Sequence, residues 1–60
     1  MARFIEAQGI DGFVFHINAD CVECIYDRKE GQAVVSLASG QEIGIKMSAR
    51  DFRNKAKALE

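Results

Sequence analysis

Proline is absent from these 60 residues, and so are a long hydrophobic run, a marked excess of charge of either sign, and any glycine-rich phosphate loop. Each absence excludes something. With 48% hydrophobic and 28% charged residues the chain is too apolar for a disordered tail and too often interrupted by charge for a membrane-spanning segment. A net charge of −1 argues against a protein whose main task is to neutralise many phosphates. The five glycines form neither G-x-G-x-x-G nor G-x-x-x-x-G-K, so no nucleotide cradle is encoded. One histidine and two cysteines are too few for a closed four-ligand zinc site.

What is present is one small domain. A chain this short buries only about 60% of the surface exposed by its unfolded form, so its core is small and association is expected. The start, Met1-Ala2-Arg3 running into Phe4-Ile5, carries no apolar leader pattern, and a cytoplasmic location is the expectation. Charge is unevenly spread: residues 1 to 30 hold three basic against six acidic side chains, and residues 31 to 60 hold five against three. The C-terminal segment is the basic one.

Short apolar runs separated by turn residues predict five strands, at about 3–8, 13–17, 22–27, 32–37 and 42–47, followed by a helix at about 49–59. The expected fold is mainly β within the α+β class: a five-stranded antiparallel meander or small half-barrel with one C-terminal helix. Register can be derived for the last hairpin. Ala33, Val35 and Leu37 share one face by period two, as do Ile43, Ile45 and Met47, and a folded hairpin must oppose the two sets. A three-residue loop, Ala38-Ser39-Gly40, with Gly40 left-handed, opposes Leu37 to Gln41, Val35 to Ile43 and Ala33 to Ile45. Ser48 and Asp51 make a capping-box variant, with Met47 and Phe52 as its hydrophobic staple, so the helix opens at Ala49.

The expected inner face comprises Ile5, Phe13, Phe15, Ile17, Val35, Ile43, Ile45 and Met47, covered by a helix stripe of Phe52, Ala56 and Leu59. The alternate positions are less polar than a solvated face requires. Phe4, Val14, His16 and Val34 lie there, with Gly44 inside the fifth strand marking a bend or a close approach. A helix of about twelve residues is roughly 18 Å long and cannot cover both faces of five strands. Either the sheet rolls into a small barrel or a partner packs on the second face; the expected reading is the partner, which makes Phe4, Val14, His16, Val34 and Gly44 the candidate interface, occupied by a second copy of the chain or by another protein.

No constellation of residues points to catalysis, and no cofactor is expected. Cys21-Val22-Glu23-Cys24 has C-x-x-C spacing, with His16 as the one further soft ligand. Because Val22 to Tyr26 reads as strand, where no helix dipole lowers a thiol pKa, structural thiols are the expected reading; a metal shared between subunits and a redox pair are the alternatives. His16 lacks a nucleophile or acid in a cleft and reads as a surface or interface residue. Asp11, Asp20, Asp27 and Glu30 fall in or beside turns and read as solvated turn residues. Lys46, Arg50, Arg53 and Lys57 are candidate contacts for an anion or a phosphate backbone, with Tyr26 the aromatic available for stacking.

The arrangement Ile17-Asn18-Ala19-Asp20-Cys21-Val22, then Val35 through Lys46, then Ser48 opening a last helix, resembles the FlbD/SwrD type of small flagellar motility protein. The pattern spans most of the chain: I-N-x-x-x-Φ, then Φ-x-L-x-x-G-x-x-I-x-Φ and a serine-capped helix, where Φ is apolar. It is also similar to the sheet core of LytTR-type DNA-binding domains, which are longer and carry extra basic loops. The resemblance implies a shared strand-and-helix architecture and, for the first family, a role in motility.

The expected function is a small non-enzymatic, homo-oligomeric interaction module, a regulator or inhibitor of the kind small bacterial or mobile-element genes encode, acting by binding another protein. The alternatives are a nucleic-acid-binding regulator using the basic helix, and a small anionic ligand held at a subunit interface with Arg50 or Arg53 as contacts.

Overall fold

The computed structural model describes residues 3–59. Five strands, β1 (Phe4–Gln8), β2 (Val14–Asn18), β3 (Val22–Lys29), β4 (Gln32–Leu37) and β5 (Glu42–Ile45), precede one helix, α1 (Ala49–Ala58). They form two antiparallel sheets, β1-β2 and β3-β4-β5.

The β4–β5 hairpin has the register expected from its side-chain alternation. Ala33 opposes Ile45 and Val35 opposes Ile43. Leu37 N–H donates to Gln41 C=O at 2.8 Å, and Gly40 N–H donates to Leu37 C=O at 2.9 Å. Gly40 takes φ 94°, the conformation the three-residue loop requires. Ser48 caps α1 as its sequence implies, its Oγ accepting from Asp51 N–H at 3.1 Å.

Between β2 and β3 the chain makes a short 3-10 turn, Ala19–Cys21, instead of continuing a ladder. Asn18 Oδ1 accepts from Asp20 N–H at 3.0 Å, which caps the turn. Arg3 donates to Asp20 Oδ1 at 2.7 Å and holds the turn against the start of β1. The two sheets meet instead through a short seam between β1 and β5. Gly9 bridges Ile45, Lys46 N–H donates to Gln8 C=O at 2.8 Å, and Ile10 N–H donates to Gly44 C=O at 3.1 Å.

The core lies between the sheets and under α1: Ile5, Ala7, Ile17, Ala33, Val35, Ile45 and Phe52 are buried. Phe15, Ile43, Met47 and Ala56 are half-buried against it. Two expected core residues are corrected. Phe13 is 70% exposed. It lies opposite Gly9, where a Cβ would come 2.5 Å from Phe15 Cε2, so the Phe15 ring covers that end of the hairpin and Phe13 turns to water. Leu59 is 44% exposed: it caps the end of α1, where it lines a shallow surface hollow with Phe4 and Ile5 of β1 instead of entering the core. Ala7 and Ala33 are among the most buried residues, so small side chains stand at the centre of the core.

Candidate functional site

An open concavity of about 410 Å³ forms a groove between β2 and the β4–β5 hairpin. Phe15 and Ile17 form one apolar wall, Leu37 and Ile43 the other, and Phe4, His16 and Cys21 stand at its margin. Alternation explains why this wall is apolar: Phe15 and Ile17 point inward with Ile5 and Ala7, while His16 and Asn18 belong to the opposite face.

The structure brings three of the five candidate interface residues onto one surface. Phe4, Val14 and His16 lie on the outer face of the β1–β2 hairpin, where Phe4 opposes Asn18, Glu6 opposes His16 and Gln8 opposes Val14. Phe4 is 57% and Val14 55% exposed. Val34 and Gly44 sit on the other sheet, directly opposite one another. Val34 is half-buried beside the exposed Tyr26. Gly44 makes the close approach expected of it, and the approaching group is Ile10 of the same chain: a Cβ at Gly44 would lie 2.9 Å from Ile10 Cδ1.

The basic candidates divide. Arg50, Arg53 and Lys57 are exposed and, at spacings of three and four, share one stripe of α1. Arg53 and Lys57 line a shallow hollow of about 280 Å³ with Arg3 and Ala19. Lys46 is exposed on the seam, away from that stripe. The cysteines are free and exposed, Cys21 closing the 3-10 turn and Cys24 on β3 opposite Ser36. His16 and Cys21 share the groove margin, and Cys24 is not part of it.

Asp11, Asp20 and Asp27 are exposed, as solvated turn residues should be, and each also accepts a hydrogen bond. Asp11 Oδ1 accepts from Phe13 N–H at 3.2 Å, Asp20 pairs with Arg3, and Asp27 Oδ1 accepts from Ala49 N–H at 2.8 Å. The signal for Asp27 is the match between a carboxylate two residues before the end of β3 and a helix whose first N–H groups need acceptors.

Among the described residues no helix is long and apolar enough to cross a membrane. No protein-family model matches this chain, and no significant match exists among curated proteins or solved structures.

Proposed function

We propose that this chain is a non-enzymatic, homo-oligomeric interaction module of the cytoplasm, a regulator or inhibitor that acts by binding another protein. In this reading the two sheets are the sides of one open half-barrel, joined at the β1–β5 seam and open between β2 and the β4–β5 hairpin. The observation that carries it is the exposure of Phe4 at the margin of that groove and of Phe13 and Val14 at the far end of the same β1–β2 hairpin, while the buried core among the described residues is seven side chains. Large exposed apolar groups on a hairpin that walls an apolar groove mark an interaction surface. The resemblance to FlbD/SwrD-type proteins enters as a shared architecture with a role in motility.

Light scattering over about a hundredfold range of concentration tests the oligomer, since association responds to mass action. The mass should rise to a multiple of one chain, and Phe4→Ser with Val14→Thr should hold it at one. A second protein recovered from source cells with the wild type should be lost with the same double variant. A single-chain mass throughout overturns the oligomer.

The stripe of Arg50, Arg53 and Lys57 supports a second reading, a nucleic-acid contact through α1. Retention on nucleic acid that weakens steeply with added salt would favour it, and unchanged mobility in a low-salt gel shift removes it.

A further inference from the structure

Among the described residues β1 and β5 meet at the short seam around Gln8 and Lys46, and the outer strands on the other side of each sheet, β2 and β3, have no strand along their outer edges. They are guarded very differently. β3 shifts register against β4 between Val22 and Cys24 and again between Asp27 and Lys29. It also carries Glu23, Asp27, Arg28 and Lys29. Bulges and charges of this kind keep foreign strands off an edge. β2 has neither. It pairs with β1 without a break, and the stretch from Phe13 to Ala19 contains no Asp, Glu, Lys, Arg or Pro.

The direction of its hydrogen bonding follows from the ends of the ladder. Gly9 N–H donates to Phe13 C=O at 2.6 Å and Ala19 N–H donates to Arg3 C=O at 2.7 Å. Odd-numbered residues of β2 therefore bond to β1, and the N–H and C=O of Val14 and His16, with the N–H of Asn18, face outward. The groove of about 410 Å³ lies beside that edge, with His16, Ile17 and Asn18 in its lining.

We propose that β2 pairs antiparallel with β2 of a second copy, about a two-fold axis through His16. The inference rests on the oligomeric reading above and names its contact. In this register His16 faces His16, Val14 faces Asn18 and Phe15 faces Ile17 across the axis. The outward main-chain groups meet reciprocally, no like-charged side chains are opposed within the paired strands, and Phe15 with Ile17 forms an aromatic and β-branched cross-strand pair. The side chain facing His16 from its own sheet is Glu6 of β1. A two-fold contact uses the unguarded edge on both sides and closes, whereas addition of β2 to a guarded β3 would build an open chain.

Light scattering combined with residue-resolved amide exchange tests this. A dimer with Val14, His16 and Asn18 amides protected supports it. His16→Lys and His16→Glu, at an exposed position, should each weaken association about tenfold through like-charge opposition, and an equal mixture of the two should restore it. A dimer whose three amides exchange freely and whose mass ignores both variants overturns the strand pairing and leaves the oligomer standing. A single-chain mass at every concentration overturns the oligomer itself. Protection that arises only when another protein is added overturns the second copy as the occupant.

Discussion

Asp27 and Ala49 are joined by a 2.8 Å hydrogen bond from the Ala49 N–H to Asp27 Oδ1, which ties strand β3 to the first turn of α1. Ser48 Oγ takes the Asp51 N–H at 3.1 Å, so two orphan donors of the helix are met from two directions. The carboxylate also lies at the positive end of the helix dipole. Asp27→Ala and Ser48→Ala should each cost about 1 kcal/mol of stability by urea titration, with little change in fold. Because both act on one helix terminus, the double variant should depart from additivity.

Gly44 and Ile10 make a second testable pair. A Cβ at position 44 would meet Ile10 Cδ1 at 2.9 Å and Cγ1 at 3.2 Å. Gly44→Ala should destabilise by about 1–3 kcal/mol through overpacking. Ile10→Ala removes the clashing atoms, so the double variant should recover part of that loss. Thermal melts of the four proteins close the cycle, and strict additivity would show that Ile10 is not the obstacle.

Phe52 is the one buried side chain of α1. Phe52→Ala should cost about 3–5 kcal/mol. For a domain this small that is a large share of a stability of roughly 0.05–0.15 kcal/mol per residue. Circular dichroism should find the variant largely unfolded near 37 °C, and a cooperative melt close to that of the wild type would contradict the assigned core.

Arg3 and Asp20 form an ion pair at 2.7 Å between partly exposed side chains. Solvent and salt screen such a pair, so Asp20→Asn should change stability by less than about 1 kcal/mol. Urea midpoints measured at low and high salt should converge for the two proteins.

Local chemistry was legible in the sequence where one residue pattern admitted one geometry. Val35 and Ile43 had to face each other to share a core, and Gly40 alone could turn the loop, so the register of that hairpin followed. Ser48 and Asp51 fixed the helix start in the same way. Long-range choices were not legible. Nothing in period two distinguishes Phe13 from Phe15; the difference arises because Phe15 lies over Gly9 and occupies the hairpin's end. Asp27 read as a turn residue because its partner lies 22 positions further along. Of the candidate interface, Phe4, Val14 and His16 share a face because β1 and β2 pair, while Val34 and Gly44 belong to a different sheet.

The seam from Gln8 to Lys46 has a kinetic meaning. Each sheet completes its ladders between neighbouring segments, whereas the seam joins chain segments far apart in sequence. Closing a long loop costs entropy that few contacts repay until the pieces are docked. The hairpins should therefore zip early, and the rate of folding should be set by the moment at which Gly9 finds Ile45.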